Sequence, residues 1–194
     1  YLCDQTSEEI RRMLKTRSIL VSSTVKIKNQ IHGMLLGYGI ETTVAQFQSK
    51  KKRQELLNDL EDHDYSQFTA SSLEVTLNIL DEIYAQVKKI EAQIKEMTKE
   101  NEDVELLMTM PGIGFVGATT IASYTADITR FGGDFKRFSS YLGIVPSVHN
   151  SADSIRMGHI TKRGPQDLRT AFVQVAMGII RQPQNTAEWK LMKD

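Results

Sequence analysis

The C-terminal half carries hydroxyl and cationic side chains in an order suited to chemistry on a phosphodiester. A polar loop, predicted from Ser147 to Ser154, precedes a basic glycine loop that contains Lys162 and Arg163. A serine hydroxyl can attack phosphorus when another group accepts its proton, and cationic side chains offset the charge of the phosphoryl oxygens. We therefore expect a loop hydroxyl, Lys162, Arg163 and Arg169 to converge on one phosphate.

The same residues also have ordinary explanations. A serine in a polar loop is usually just solvated, and composition by itself favours that interpretation. His149 and His159 could bond a phosphate or a base, although a lone loop histidine is usually exposed. Asp153 has no acidic residue within a few positions, so we predict no two-metal site there. A denser acidic group lacks the EF-hand order and is interpreted as a solvated loop: Asp59, Glu61, Asp62 and Asp64.

A second candidate site is the sequence Pro-Gly-Ile-Gly that ends at Gly114. Gly112 and Gly114 permit a tight turn, and the turn leads into a helix whose free N–H groups favour a phosphate oxygen. Gly117 and Ala118 would let the two flanking helices pack closely. The pattern predicts a helix-hairpin-helix that binds phosphate through Gly112, Gly114 and Gly117, although ordinary helical hairpins also need a glycine turn.

Long helices are predicted to precede these sites. The capping sequence Thr6–Glu9 opens one helix, which should stop at Gly37, and a short helix is expected to start at Lys50. Arg17 falls on the apolar stripe of the first helix, where it would snorkel or meet an acidic partner. A further long helix is predicted from Ser71 to Met110.

The further helix carries apolar residues in alternating steps of three and four, which is the pattern of a coiled coil. The predicted seam contains Leu80, Ile83, Val87, Ile90, Ile94, Met97, Asn101 and Val104. Asn101 occupies an a position, where a lone asparagine fixes register. We expect a homodimer through this seam; the alternative is that it packs on the first helix within one chain.

These elements predict a mainly α protein, with a long-helix and coiled-coil segment followed by a small helical domain that contains the helix-hairpin-helix. The boundary is placed at residue 105, which gives domains 1–105 and 106–194. The 194 residues are 40% hydrophobic and 25% charged, as in globular proteins. Cys3 is the only cysteine, which excludes an internal disulfide and suits a reducing compartment. No apolar run is long enough to span a membrane.

Charge is unevenly distributed although the formal net charge is zero. Ten Lys/Arg and three Asp/Glu lie between Glu8 and Arg53, whereas Glu55–Glu105 has four and fourteen. Arg130–Arg169 is basic again, with seven against three. Basic segments of this kind accompany nucleic-acid contact, and they also occur on solvated helical faces.

At these motifs the sequence resembles the transposase domain of the IS110 family, also described as IS116/IS902. The resemblance rests on the following residues: Met110–Gly114, Arg130 and Phe131, Tyr141–Pro146, Ser151, Gly158–Lys162, Gly164, Leu168 and Arg169. Upstream, Arg11–Arg17 and Val25–Ile31 resemble the helix that precedes the coiled coil of the family. The resemblance therefore extends over most of the chain.

The resemblance implies an RNA-guided DNA recombinase whose C-terminal domain supplies a serine nucleophile that becomes joined to DNA. By register that serine is Ser151, with Ser147 and Ser154 as alternatives. The family commonly has glycine after the serine, where this chain has Ala152. The implied partners are DNA, a structured guide RNA and a second copy of the chain.

The family also has an N-terminal RuvC-like half with an acidic metal-binding tetrad. No such tetrad is visible in this chain, so we expect a fragment that holds no cofactor itself, with Mg²⁺ in the missing half. We expect a bacterial or archaeal protein of the cytoplasm and nucleoid. The competing hypotheses are a non-catalytic helix-hairpin-helix module that binds DNA and dimerises, and a purely structural dimerisation module.

Overall fold

The computed structural model describes residues 4–60, 65–151 and 154–181. Helices dominate this part of the chain, as predicted, and its two strands form one antiparallel sheet. The helices are α1 (Gln5–Leu36), α2 (Lys50–Asp59), α3 (Gln67–Met97), α4 (Glu102–Met108), α5 (Phe115–Thr125), α6 (Phe135–Leu142) and α7 (Gln166–Ile180). Strands β1 (Pro146–Ser151) and β2 (Ser154–Ile160) lie between α6 and α7, and short 3₁₀ helices cover Val44–Phe47 and Ile128–Phe131.

The chain forms two compact units. The first, which we call the bundle unit, is Lys15–Lys95, and the second, the hairpin unit, combines Tyr1–Leu14 with Glu96–Asp194. The domain boundary predicted at residue 105 stays a prediction. No helix in the described ranges is both long enough and apolar enough to cross a bilayer.

The bundle unit has an apolar core that follows from the helical spacing of its sequence. Its buried residues are Ile31, Leu35, Phe47, Leu56, Leu60, Leu73, Leu77 and Leu80. The guanidinium of Arg53 is buried beside this core, where it donates to the Phe47 carbonyl at 2.9 Å and pairs with Asp81. Arg17 meets the acidic partner that its place on the stripe required, because its Nε donates to Glu91 at 2.7 Å.

The first helix begins and ends close to the predicted positions, but its cap is a different residue. The carboxylate of Asp4 accepts the Ser7 backbone N–H at 2.8 Å, so the capping interpretation of Thr6–Glu9 is wrong. The hydrogen bonds from Ser7 hold the pKa of Asp4 below its usual value. At the other end the chain leaves the helix through Gly39, whose φ of 76° is left-handed.

The second long helix is shorter than predicted, because the chain turns between Met97 and Glu102. Asn101 is the N-cap of α4, and its side-chain oxygen accepts the Val104 N–H at 3.0 Å. The seam is therefore not continuous through Asn101 and Val104, and the interpretation of Asn101 as an a-position residue is wrong. Asparagine is a preferred N-cap residue, and that preference determines its role here.

The remaining a-position residues of the seam are already covered within one chain. Leu80, Val87 and Ile94 are buried, whereas the d-position residues Ile83 and Ile90 are only partly buried. Packing of the seam within the chain was the alternative to a dimer, and the burial agrees with that alternative. A homodimer stays a prediction.

Candidate nucleic-acid interface

The stretch predicted as a helix-hairpin-helix forms α4, a turn and α5, and its identity as a phosphate-binding motif stays a prediction. Gly112 has a φ of 83°, which a residue with a side chain adopts only with strain. Gly114 is the N-cap of α5, has an extended backbone and supplies no side-chain hydrogen bond to the first turn of α5. Gly114 therefore provides no side-chain cap for the amide groups of that turn. Amide groups without such a cap are what an anion-binding helix start requires.

The glycines of this turn have different surroundings. A Cβ on Gly112 would lie 3.1–3.2 Å from the α7 backbone at Val175, Gly178 and Ile179, so the absence of a side chain lets the turn rest on α7. A Cβ on Gly117 would meet only a methyl group of Ile113 at 3.9 Å. The packing role that we assigned to Gly117 is therefore wrong; Ala118 is the fully buried residue of the pair.

The stretch predicted as a serine loop is instead a β-hairpin, formed by β1 and β2. Ser151 and Ser154 are paired at its tip, and residues 152 and 153 lie outside the described residues. Ser147 faces an irregularity in the register: one residue of β1 between Pro146 and Val148 opposes two of β2, Gly158 and His159. Such a bulge increases the right-handed twist of a ribbon.

Ser151 is thus the last residue of β1, remote from the base of the hairpin. Each strand residue advances the chain by about 3.3 Å, so the five steps to Pro146 put Ser151 roughly 17 Å from that base. Lys162 follows the other strand at the base. The predicted convergence of the serine with Lys162, Arg163 and Arg169 on one phosphate is therefore wrong for this chain, because the loop is extended and not folded back.

The register places another cation much closer to the serine. Arg156 is opposite His149 and two residues along β2 from Ser154, and its side chain is exposed. Arg156 was not among the predicted site residues, because the distance between two side chains in an irregular loop cannot be predicted from their positions in the sequence. Pairing in a hairpin supplies that information. His159 is also exposed, at the bulge.

The base of the hairpin is held by close backbone contact. The Thr161 N–H donates to the Val145 carbonyl and the Lys162 N–H to the Gly143 carbonyl, both at 2.9 Å. A Cβ on Gly143 would lie 2.7 Å from the Gly164 nitrogen, and one on Gly164 would overlap the carbonyl oxygen of Tyr141. Both glycines are therefore needed for the two segments to touch.

The basic residues at this base have unequal surroundings. Lys162 adopts a left-handed φ of 54°, which is uncommon for a residue with a side chain, and Lys162 and Arg163 are both exposed. Arg169 is half-buried, and its Nη1 donates to the Leu142 carbonyl at 3.0 Å and the Gly164 carbonyl at 2.9 Å. Arg169 thus fixes the loop that presents the two exposed cations, and its contact with phosphate stays a prediction.

The C-terminal end of α5 is held by side chains that the sequence reasoning did not single out as a group. Arg11 donates through Nε to the Ser123 carbonyl at 2.9 Å, while Arg130 and the Tyr141 hydroxyl bond the Tyr124 carbonyl. Cations at carbonyls of a helix end are favourable because that end is the negative pole of the helix.

Tyr124 joins this cluster to the start of α7. Its hydroxyl donates to Asp167 at 2.9 Å, and burial together with this bond to the carboxylate raises the pKa of Tyr124 to about 12. Pro165 is the N-cap of α7 and precedes the first helical residue, one position outside the place predicted for it. The hairpin turn, the hairpin base and α7 thus meet around a shared core of buried apolar residues: Val104, Ile113, Ala118, Ile121, Leu142, Leu168 and Ala171.

The described residues do not bring metal-binding side chains together. Among residues 4–60, 65–151 and 154–181, no three His, Cys, Asp or Glu side chains are grouped so that they could hold an ion. This part of the chain therefore does not fit a Mg²⁺ site, and no chemical step is assigned to one. The acidic group from Asp59 to Asp64 lies mostly outside the described residues.

Comparison with known proteins agrees with the motifs. The chain is 27% identical over 186 residues to the transposase for insertion sequence element IS1111A of Coxiella burnetii, which covers 94% of this chain and 50% of that protein. It is 27% identical over 179 residues to the IS1328 transposase of Yersinia enterocolitica, covering 90% and 52%. A probable family 20 transposase of Pseudomonas aeruginosa is 25% identical over 177 residues, covering 90% and 51%.

The chain thus spans about half the length of these curated relatives. Residues 104–190, which include the helix-hairpin-helix, the β-hairpin and α7, match the sequence profile of the Transposase IS116/IS110/IS902 family. The resemblance that the motifs indicated is confirmed: residues 104–190 match this transposase family, and the chain is similar to curated insertion-sequence transposases.

Proposed function

We propose that this chain is the part of a DNA transposase that contacts DNA and supplies the nucleophile for strand exchange. The observation that carries the proposal is the place of Ser151: it stands at the tip of a β-hairpin within the segment that matches the transposase family. The tip is five strand residues from the base, where the ribbon joins the end of α6.

The proposed reaction is a transesterification at phosphorus. The Ser151 oxygen forms a bond to phosphorus, the phosphorus–oxygen bond to one sugar breaks, and that sugar leaves as an alcohol after it takes up a proton. Arg156, close to the tip by register, offsets charge on the phosphoryl oxygens in the place first assigned to Lys162. His149, two residues from Ser151 along β1, is the nearest histidine by register and the candidate to accept the serine proton.

Lys162 and Arg163 then serve a different purpose. Because they lie roughly 17 Å from the tip, they contact other phosphates along the same DNA and position it. The N-terminal end of α5 after Gly114 adds a backbone contact of the same kind. A guide RNA, a second copy of the chain and an acidic Mg²⁺ site elsewhere in the whole protein are partners that the resemblance implies.

A second function is supported by the hairpin unit itself. A helix-hairpin-helix with an uncapped helix start can bind DNA backbone with no reactive hydroxyl, as a module for DNA binding and dimerisation. The two functions differ at Ser151, because only the first requires its oxygen.

Strand exchange by the whole protein tests the proposal. Ser151→Ala should abolish recombination while leaving DNA affinity unchanged, and Ser147→Ala, at the base of the same strand, is the matched control that should recombine normally. The chain without the rest of the protein should bind duplex DNA with an affinity that falls steeply with salt, and should not cut it. Recombination by the Ser151→Ala protein would contradict the catalytic role and leave the binding module as the function.

A further inference from the structure

The β-hairpin exposes an apolar pair that the proposed chemistry does not use. Val148 and Met157 are directly opposite each other in the register, so both side chains stand on one face of the ribbon. Their exposed fractions are 53% and 75%. Two large apolar side chains side by side on a two-stranded ribbon are a surface that a partner covers.

The charge around this pair indicates the chemistry of the partner. Between Pro146 and Pro165 the chain carries three cationic residues and a single acidic one, Asp153. All three cations are exposed: Lys162 and Arg163 follow β2 at the base of the ribbon, while Arg156 alternates onto the face opposite to Met157. An apolar face bordered by cations suits a polyanion that also presents apolar groups, which describes a DNA groove with phosphates at its edges and thymine methyl groups on its floor.

The dimensions of the ribbon agree with those of the DNA major groove. Paired strands lie about 4.8 Å apart, and the major groove of B-DNA, about 12 Å wide, admits a two-stranded ribbon with its side chains. The bulge at Gly158 adds right-handed twist. The contacts at Val145 and Gly143 hold the base of the ribbon to the end of α6, so the ribbon is presented in a fixed direction.

We infer that the β1–β2 ribbon docks in the major groove of duplex DNA, with Val148 and Met157 against base edges and thymine methyl groups, and Lys162 and Arg163 at the bordering phosphates. The inference rests on the proposed function in requiring that the chain binds DNA. It goes beyond that function by giving the chain a contact with bases, whereas the helix-hairpin-helix contacts only backbone.

The test compares two volume-conserving substitutions of exposed methionines. Met157→Gln changes the ribbon, and Met177→Gln, on α7 of the same unit with 45% exposure, is the matched control. Each protein is titrated by fluorescence anisotropy against DNA duplexes of about two helical turns (~21 base pairs) that contain thymine or, in its place, uracil. An RNA duplex of the same sequence is the third probe, because the major groove of A-form RNA is too narrow for side chains to read.

The unmodified chain should bind the thymine duplex about fourfold more tightly than the uracil duplex, which is the effect of one methyl group leaving water. Met157→Gln should lose that preference and bind thymine DNA about fourfold more weakly, whereas Met177→Gln should retain both. Circular dichroism melting should show that both variants are folded.

Five results would overturn the inference. The first is that Met157→Gln binds as tightly as the unmodified chain. The second is an equal loss of affinity of Met157→Gln for thymine, uracil and RNA duplexes, which would place the contact on the backbone or on RNA. If light scattering shows that Met157→Gln changes the molar mass of the protein in solution, the apolar pair contacts a second copy of the chain. If the unmodified chain binds no DNA duplex, the proposed function fails together with the ribbon; if it binds and only the methyl effect is absent, the ribbon inference fails alone.

Discussion

The bundle unit and the hairpin unit are stabilised by different kinds of contact. In the bundle unit, leucine and isoleucine side chains fill a core along two long helices. The hairpin unit also has a small core, but its turns are fixed by backbone segments that touch where glycine removes the side chain, at Gly112 against Gly178 and at Gly143 against Gly164. We therefore expect the bundle unit to lose stability when core side chains are shortened, and the hairpin unit when a single methyl group is added.

The largest effect is expected from Gly164→Ala. Its new Cβ would overlap the Tyr141 carbonyl oxygen and lie 2.6 Å from the Leu142 carbonyl carbon, and neither backbone atom can move without displacing α6. We expect a loss of more than about 4 kcal/mol in the free energy of unfolding.

The control for this substitution is Gly114→Ala, where a Cβ would have open space. It should cost less than about 1 kcal/mol, the difference between glycine and alanine as an N-cap. Urea unfolding followed by circular dichroism measures both variants. Equal stabilities for the two alanine variants would show that close backbone contact does not hold the hairpin base.

The bundle unit should respond to the opposite change. Leu80 is fully buried in its core, so Leu80→Ala removes packed methyl groups and leaves a cavity. We expect a loss of about 3 kcal/mol in the free energy of unfolding. Ile79→Ala, one residue earlier with 48% of its side chain exposed, should cost less than about 1 kcal/mol. If the two variants lose the same amount of stability, Leu80 does not lie in the core of the bundle unit.

A smaller effect distinguishes a helix cap from a coiled-coil position at Asn101. Leucine at an a position would strengthen a coiled coil, whereas leucine at an N-cap loses the bond to the Val104 N–H. We therefore expect Asn101→Leu to lower stability by about 1 kcal/mol and Asn101→Asp to change it little. Thermal melting and light scattering check this. A more stable, dimeric Asn101→Leu protein would restore the seam.

The bundle unit was the easier part to predict from sequence. Apolar spacing located α1 and most of α3, because each turn of these helices buries residues that repeat locally. The break before α4 was missed for a specific reason: Asn101 satisfies the heptad spacing and the N-cap preference together, and only the surrounding packing selects between them.

The hairpin unit was harder because its determinants are non-local. The turn glycines were predictable, yet the partner of Gly112 is Gly178, which is far away in sequence and has no local signature. The strands were missed because the stretch from Ser147 to Ser154 is polar and lacks alternation over most of its length. The identity of Ser151 as the candidate nucleophile came from the family register, which neither composition nor spacing supplies.

The most direct test of the account is to identify the atom of the whole protein that becomes joined to DNA. A strand-exchange reaction is quenched, the DNA is digested, and mass spectrometry locates the residue that carries the nucleotide. We predict that the adduct forms on Ser151 and disappears in the Ser151→Ala protein. Ser154 is paired with Ser151 across the tip, and the Ser154→Ala protein should still form the adduct. An adduct on any other residue, or an undiminished adduct in the Ser151→Ala protein, would contradict it.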